Sequence, residues 1–185
     1  MAFSIAFVHT DGSELKDRAD YMSRAFVKEP DGDAVGDDTP ELPVSAHANY
    51  VTERGFQLLR DELEDLRVQR QALIDRNEPV ATQLERFAIE RRQRYLVKRI
   101  ESAIVSGSGN NVSGKIEFGC CIRVVDDDDV EATYTIVGED EADPANGLIS
   151  WTSPLARVLM ACAVGDTPLW RRPKGDTTLE ILSVD

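Results

Sequence analysis

Two acidic side chains, Asp75 and Glu78, stand three residues apart just before Pro79. Paired carboxylates could hold Mg²⁺, because this ion takes one or two protein carboxylates and keeps several of its waters. Acids beside a turn are more often only solvated, since loop tips are normally polar. The pair is therefore a candidate metal-handling site with an ordinary surface alternative. Glu85 is a weaker third candidate.

Other catalytic arrangements have no support in the sequence. His9 and His47 lie far from any cysteine or carboxylate cluster, which argues against a Ser-His-Asp site. No strand leads into spaced glycines before a helix, so a phosphate-binding loop is not expected. The three cysteines have the spacing of neither a disulfide framework nor a zinc site. The aspartates at 126–129 lack the spaced ligands and distal Glu of a calcium loop, and they predict a solvated turn.

Two helices are predicted to carry the acid pair. Thr52 is a plausible N-cap, and Arg70 is the one polar interruption in a seam of heptad type that follows it. Pro79 ends that helix, and a second one is expected from about Ala81 to Val105. A short turn would make residues 50–105 an antiparallel coiled-coil hairpin with the acids at its apex. The seam residues are Leu59, Leu63, Leu66 and Leu73 in the first helix, and Leu84, Phe87, Ala88, Ile89, Tyr95, Leu96, Ile100 and Ala103 in the second.

The flanking segments have different compositions. Residues 1–48 mix Asp, Glu, Gly and Pro and predict a disordered acidic arm, while residues 106–114 predict a flexible linker. From 115 to 185 apolar residues recur at every second position in several short stretches, as in β-strands. This pattern predicts a small α+β domain. Within it, Ser153 is expected to cap a helix that has Pro154 at its first position and runs to about Cys162. Strands are expected at 116–118, 122–124, 134–137, 168–171 and 179–182, with the turn at 126–129 making a hairpin.

Charge separates the helical part from the rest. The chain has a net charge of -13, which argues against a general nucleic-acid binder. Residues 51–106 have ten acids and eleven bases, so the other segments carry the excess of negative charge. A basic run marks the second helix, and it could form ion pairs across the hairpin with Asp61, Glu62, Glu64 and Asp65. The run consists of Arg86, Arg91, Arg92, Arg94, Lys98 and Arg99.

The start of the chain has no basic region, and no run of eighteen apolar residues occurs. We therefore expect a protein that is neither secreted nor membrane-spanning. Sparse cysteine fits a reducing cytoplasm.

Two stretches resemble the Gre transcription elongation factors. Residues 138–143 (Gly-Glu-Asp-Glu-Ala-Asp) followed by 149–157 (Ile-Ser-Trp-Thr-Ser-Pro-Leu-Ala-Arg) look like the family's C-terminal domain. Residues 50–63, which begin Tyr-Val-Thr-Glu-Arg-Gly-Phe, look like the opening of its coiled-coil hairpin. The resemblance implies an FKBP-like antiparallel sheet domain with one helix at 115–185. It also implies a monomeric accessory factor that acts on bacterial RNA polymerase and is not itself an enzyme.

The resemblance also implies roles for particular residues. In that family the C-terminal domain docks at the rim of the polymerase secondary channel, and the hairpin brings tip acids beside the catalytic Mg²⁺ so that a backtracked transcript is cut. Here the catalytic tip acids would be Asp75 and Glu78, and Mg²⁺ would be engaged only in the complex, with no cofactor of the factor's own. RNA or channel contact would come from Arg86, Arg91, Arg92 and Arg94. Polymerase docking would use Asp140, Glu141, Asp143, Ser153, Pro154, Leu155 and Ala156.

One departure from the family falls on the tip itself. The family's Gly-Asp, two residues, Glu-Asn-Ala-Glu-Tyr string is absent, and the hairpin is about one heptad shorter by our interpretation. The factor could therefore modulate or compete for the channel without stimulating cleavage, or regulate another enzyme through the same domain. A peptidyl-prolyl isomerase would need an aromatic-lined pocket. The aromatic residues available for one in that domain are Phe118, Tyr134, Trp151 and Trp170.

Overall fold

A computed structural model describes residues 40–76, 80–107 and 114–185, all within one compact unit, Val35–Asp185. The described residues form a helix pair, a two-stranded sheet and a five-stranded sheet. This architecture confirms the prediction of mixed helix and sheet. In chain order the elements are β1 (Tyr50–Val51), α1 (Glu53–Arg76), α2 (Val80–Glu101), β2 (Ile104–Val105), β3 (Cys121–Asp126), β4 (Glu131–Val137), β5 (Leu148–Ser150), α3 (Pro154–Leu159), β6 (Leu169–Trp170) and β7 (Thr177–Val184).

Helix α1 begins as its sequence predicts. The backbone N–H of Gly55 donates to Thr52 Oγ1 at 2.8 Å, which is the expected N-cap bond. Leu59 and Leu63 are buried in the base of the helix pair, together with Val51 and Leu96. The heptad-type seam therefore does bury its first two leucines.

The two long helices run in opposite directions. Glu62 of α1 pairs with Arg92 of α2, and Arg70, further along α1, pairs with Glu90 at 2.8 Å. The interruption of the seam at Arg70 is thus filled by an ion pair between the helices. The turn residues 77–79, including Glu78, lie outside the described ranges.

The end of the second helix differs from the prediction. Helix α2 stops at Glu101, and β2 pairs in parallel with β1 instead of extending the helix to Val105. The Ile104 N–H donates to Asn49 O at 2.8 Å, and the Ser106 N–H donates to Val51 O at 2.9 Å. Two β-branched residues next to an available strand explain the change, because they favour extended backbone.

The apolar side of α2 also differs in part from the prediction. Leu84 is 59% exposed and Ala88 is exposed, whereas Ile89 and Leu96 are buried. Leu96 packs with Val51, Leu59 and Leu63 at the base of the pair, whereas Leu84 lies near the start of α2. The prediction that Leu84 lies in the apolar seam between the helices is therefore wrong, because this side chain is exposed.

The five-stranded sheet has the order β5-β4-β3-β7-β6. Its pairs are antiparallel except β4 with β5, which is parallel. The turn at 126–129 joins β3 to β4 as predicted, and Asp126 Oδ1 accepts the Asp128 and Val130 N–H groups at 3.0 and 2.9 Å. The Thr178 N–H donates to Asp127 Oδ2 at 2.6 Å, and this bond lowers the pKa of Asp127 below its ordinary value.

The expected strand at 116–118 is wrong. Ile116 is 1% exposed and pairs through its backbone with the segment after α3, where its N–H donates to Cys162 O at 2.8 Å. Phe118 and Gly119 form a turn instead of continuing a strand. Helix α3 ends at Leu159, earlier than expected, because Ala161 has a φ of 70° that no helix continues through.

The core of the sheet domain lies between α3 and the sheet. It contains Ile116, Ile122, Val124, Ile136, Ile149, Leu155, Ala156, Leu159, Leu179 and Ile181. None of the helices in the described ranges combines the length and apolar character that a bilayer span requires. Of the predicted arm, residues 1–39 lie outside the described part of the chain, as do residues 108–113 of the predicted linker.

Leu96 supplies a direct test of the helix-pair base. Its side chain is 0% exposed, whereas its neighbour Val97 is 37% exposed. Leu96→Ala should lower the free energy of unfolding by about 2–5 kcal/mol, because it leaves a cavity. Val97→Ala should stay within about 0.5 kcal/mol of the wild type, as is usual for surface substitutions. Urea denaturation followed by circular dichroism measures both, and equal destabilisation would mean that the base is not packed as described.

Candidate functional site

The acid pair at the apex is described only in part. Asp75 lies in the last turn of α1, is exposed, and accepts a hydrogen bond from Gln71 Nε2 at 2.8 Å. Glu78 lies outside the described residues, and Glu85 is exposed on α2. Among the described residues, no three His, Cys, Asp or Glu side chains are grouped as a metal site. The metal-handling role of Asp75 and Glu78 therefore stays a prediction.

The basic run on α2 is partly occupied by ion pairs. Arg92 makes two hydrogen bonds to Glu62, from Nε at 2.7 Å and from Nη2 at 2.8 Å, and its guanidinium lies 5.0 Å from the centre of the Tyr95 ring. The bond to Glu62 raises the pKa of Arg92 despite partial burial. Arg94 pairs with Glu41 at 2.7 Å. Arg92 and Arg94, two of the four arginines predicted to contact RNA or the channel, are therefore engaged in ion pairs within the chain.

The remaining predicted pairs are arranged differently. Arg86 approaches Glu90 at 3.8 Å, and the buried Nε of Arg91 has no hydrogen-bond partner among the described residues. Asp61 and Glu64 bond within α1, to Gln57 and Arg67, instead of reaching across to α2. Ion pairing across the hairpin is thus observed for Glu62, but not for those two acids.

Arg99 of the basic run lies in a different place from the rest. It is buried at the base of the helix pair with 1% of its side chain exposed. Its Nε donates to Asp140 Oδ2 at 2.6 Å, and its Nη2 lies 3.4 Å from Glu139 Oε2. Tyr95 Oη donates to the other oxygen of Asp140 at 2.6 Å. We call residues 138–143 the acidic turn; its Asp140 carboxylate is bonded to two side chains of α2.

The next acid of the turn is bonded to the first helix. Glu141, 4% exposed, accepts hydrogen bonds from Thr52 Oγ1 and from Arg54 Nη1, the latter at 3.2 Å. Thr52 thus caps α1 and contacts the sheet domain with the same hydroxyl. Asp140 and Glu141, predicted to dock a partner, therefore hold the helix pair against the sheet domain. Neither carboxylate is freely exposed.

Two glycines allow this close approach. A Cβ at Gly138 would lie 2.6 Å from Tyr50 O, a backbone atom that cannot move aside. A Cβ at Gly55 would lie 2.5 Å from Glu141 Oε2. Gly138 therefore needs to be glycine for the acidic turn to reach the helix base, whereas a side chain at Gly55 would displace the Glu141 carboxylate from Thr52.

An aromatic contact lies beside the carboxylates. Tyr50 of β1 packs edge-on against Trp151 with ring centres 5.3 Å apart, and its ring is tilted against that of Phe118 with centres 5.9 Å apart. His47 also meets Trp151 edge-on at 5.9 Å, and its Nδ1 lies 3.5 Å from Glu139 Oε1. The segment before β1 therefore joins the same contact region.

The predicted docking residues after β5 fall into two groups. Ser153 caps α3, accepting the Ala156 N–H at 3.2 Å, and Pro154 is exposed at the first helical position. Leu155 is 6% exposed and Ala156 is 0% exposed, because both face the core of the sheet domain. Of these four side chains, only Ser153 and Pro154 reach the surface in this conformation, and the docking role of the set stays a prediction.

The other docking candidate and the aromatic residues have structural roles. Asp143 Oδ2 accepts a hydrogen bond from Asn146 Nδ2 at 2.6 Å at the start of a short 3₁₀ turn. All four aromatic residues considered for an isomerase pocket pack against the core cluster: Phe118, Tyr134, Trp151 and Trp170. Nothing in their placement favours an isomerase.

Comparisons with known proteins identify the family. A family model described as the C-terminal domain of the GreA/GreB transcription elongation factors matches residues 111–185. A transcription elongation factor GreB from Neisseria meningitidis is 34% identical over 159 residues, which cover 74% of this chain and 93% of that protein. The chain belongs to the GreA/GreB family of transcription elongation factors.

Further likenesses are in keeping with this assignment. A GreA factor from Alkalilimnicola ehrlichii is 35% identical over 150 residues, which cover 72% of this chain and 95% of that protein. The crystal structure of GreA factor homologue 1 from Thermus thermophilus is 21% identical and covers 75% of this chain and 99% of that one, with a TM-score of 0.36. GreA/GreB factors are accessory transcription factors and not enzymes, so the chain has no catalytic reaction of its own to explain.

Sequence patterns do not indicate how the helix base and the acidic turn meet. They place Arg99 in the basic run and Tyr95 on the apolar side of α2. One signal is present: helical spacing puts Arg99 on the same face as Leu96, Ile100 and Ala103, where it is the one charged member of an apolar stripe. A charge in that position suggests a buried ion pair, because burial without a partner is costly.

The buried pair generates the first prediction for this site. Arg99→Met should lower the free energy of unfolding by about 3–5 kcal/mol, because it leaves Asp140 facing the interior without its cation. The double variant Arg99→Met, Asp140→Asn should be destabilised by less than the sum of the two single changes. Denaturation of all four proteins gives the coupling energy, and strict additivity would contradict a direct pair. Arg91→Met, on the same helix, is the control and should have little effect.

Tyr95 generates a pH prediction. Burial, together with its bond to Asp140, raises the pKa of Tyr95 to about 12 from 10.0. Since the folded-state pKa is the higher one, its contribution to stability is fully present below pH 10.0 and disappears as the pH rises towards about 12. Tyr95→Phe should therefore show a shallower fall of stability across this window than the wild type. Denaturation at several pH values tests this, and an equally steep fall in Tyr95→Phe would contradict it.

Proposed function

We propose that this GreA/GreB-family protein binds bacterial RNA polymerase through its C-terminal domain, residues 115–185, at the rim of the secondary channel, and inserts the helix pair into that channel. In this proposal the helix pair is an antiparallel coiled-coil hairpin, and the C-terminal domain is FKBP-like. The protein acts as a monomer and engages Mg²⁺ only within the complex.

The observation that carries the proposal is the bonded junction between the acidic turn and the helix base. Arg99, Tyr95 and Thr52 connect α1 and α2 to Asp140 and Glu141 through buried or half-buried polar contacts. A rod that must reach a distant active site needs a fixed direction from the domain that docks. A buried pair of charges supplies this direction, because its geometry is restrictive.

The side chains left for docking are those on the surface of the same domain. Ser153 and Pro154 lie at the exposed start of α3, and Asp143 lies at the edge of the acidic turn. Together they suit a partner surface that is basic and partly apolar. Of the predicted RNA or channel contacts, Arg86, Arg92 and Arg94 pair with carboxylates, whereas Arg91 forms no ion pair with a described residue, although its Nε is buried.

The function at the tip has two forms. With Asp75 and Glu78 holding a second Mg²⁺ beside the polymerase's own, the factor would stimulate cleavage of a backtracked transcript. The absence of the family's tip string favours the other form, a factor that occupies the channel and modulates the polymerase without cleavage. Both forms share the docking step.

Docking is tested by association with purified polymerase. Asp143→Lys should weaken binding by about tenfold or more if this acid faces a basic partner, because opposed charges become like charges. Glu180→Lys makes the same change of charge at an exposed site on β7 and should bind as the wild type does. Failure of the wild type to bind polymerase, or recovery of a different enzyme from cell extract, would overturn the proposal.

Cleavage is tested with a backtracked elongation complex. Asp75→Ala and Glu78→Ala should each abolish release of short 3′ RNA, while Asp65→Ala, an exposed acid lower on α1, should not. A wild type that binds but releases no RNA would identify the modulator form. Full activity in both tip variants would show that other residues hold the metal.

A further inference from the structure

The segment before β1 crosses the junction between the helix pair and the sheet domain. It consists of residues 41–49, which we call the strap, and it forms neither helix nor strand. Its path is therefore set by the contacts that its side chains make. These contacts reach α2 at both ends of the strap and the sheet domain in its middle.

The strap ends on the last turn of α2. Asn49 is 5% exposed, and its Nδ2 donates to Arg99 O at 2.6 Å and to Ser102 Oγ at 3.1 Å. Arg99 O is one of the carbonyls that the end of a helix leaves without an intrahelical donor. The backbone of Asn49 also accepts the Ile104 N–H. Because a buried polar group that loses its partner is destabilising, this end of the strap is firmly held.

The strap begins on α2 as well. Glu41 pairs with Arg94 Nε at 2.7 Å, and both side chains are about half exposed. Arg94 and Arg99 are five residues apart, so the two anchor points on α2 are separated by about 7 Å along the helix axis. The eight residue steps from Glu41 to Asn49 could span about 26 Å if extended. The strap therefore has length to spare, and its middle bends away from α2.

The middle of the strap lies on the sheet domain. Ser45 Oγ donates to Glu139 Oε1 at 2.8 Å, and His47 Nδ1 lies 3.5 Å from the same oxygen. The His47 ring also meets Trp151 edge-on. The other oxygen of Glu139 lies 3.4 Å from Nη2 of the buried Arg99. The strap thus holds one oxygen of this carboxylate while the other faces the cation of α2.

The strap is a second attachment between the two parts of the protein. The first attachment is direct, because Asp140 bonds to Arg99 and Tyr95 of α2. The strap instead connects α2 to the sheet domain through a separate segment that starts and ends on the helix. Two parts joined at one place can still pivot about it, whereas a second attachment opposes that rotation.

We propose that the strap fixes the angle between the helix pair and the sheet domain, and that Ser45 and His47 are positioning residues that act through Glu139. The angle decides where the apex of the helix pair lies once the sheet domain has docked, a step that rests on the proposed function. The strap is not itself a docking surface, because the residues that it contacts, Glu139 and Trp151, are not among the docking candidates.

The angle is measured in the free, full-length protein by pulsed electron paramagnetic resonance. Spin labels are placed at Ala72 of α1 and Glu180 of β7, which are both exposed, through non-natural amino acids that leave the native cysteines in place. Glu41→Gln with Ser45→Ala removes one anchor on α2 and one on the sheet domain. The distribution of label distances should become broader and its mean should shift. Ser45→Thr, which retains the hydroxyl, should keep the wild-type distribution.

A matched control makes the same two changes outside the strap. Glu101→Gln with Ser106→Ala alters an exposed acid at the end of α2 and a serine that follows β2, and it should keep the wild-type distribution. The thermal midpoint of the strap variant should fall by about 4 °C or less, because partly exposed pairs contribute little to stability. A changed distance is then not a sign of unfolding.

Purified polymerase supplies the functional measurement. The strap variant should bind as the wild type does, since neither altered residue is a docking candidate. Its effect on RNA cleavage or elongation once bound should fall about tenfold or more, because small displacements near a reacting group change rates strongly.

Three results would overturn the proposal. They are an unchanged distance distribution in the strap variant, equal broadening in the matched control, or tighter polymerase binding by the strap variant, which would mean that the strap covers the docking surface. A wild type that fails to bind polymerase would overturn the docking proposal alone, because the distances are measured in the free protein.

Discussion

The buried charge of Arg99 is the constraint on which the relation of the two parts of this protein depends. A guanidinium with 1% exposure must have its hydrogen bonds satisfied, and Asp140 and Glu139 supply the acceptors from the sheet domain. The helix pair cannot move away from the acidic turn without leaving that charge unpaired. The ion pair thus contributes direction more than net stability, since buried pairs often do no better than apolar packing.

Neighbouring contacts reinforce this direction from both helices. Thr52 joins the N-cap of α1 to Glu141, while Tyr95 donates to Asp140 from α2. Gly138 removes the side chain that would keep β1 away. Because both helices are fixed at their base, these contacts set the direction of the helix pair from the sheet domain.

This arrangement changes the meaning of the family's acidic turn in this chain. Its carboxylates would be ligands for a partner if they lay at the surface, yet Asp140 and Glu141 are bonded internally. In the docking proposal, the turn would contribute indirectly, through the placement of the residues around it. Leu155 and Ala156 would act in a similar way, because they anchor the start of α3 in the core and leave Pro154 exposed.

Local patterns in the sequence are enough to predict the helices, most strands, the turn at 126–129 and the cap at Ser153, because capping and periodicity are short-range effects. They are also enough to place the chain in its family. The tertiary structure alone decides that Ile104 and Val105 leave the helix for a strand, that Ile116 pairs with the segment after α3, and that Arg99 meets Asp140. Each of these depends on a partner distant in sequence: Asn49, Cys162 and the acidic turn. Propensity and spacing cannot specify such a partner, because the free energy of a long-range contact depends on what packs around it.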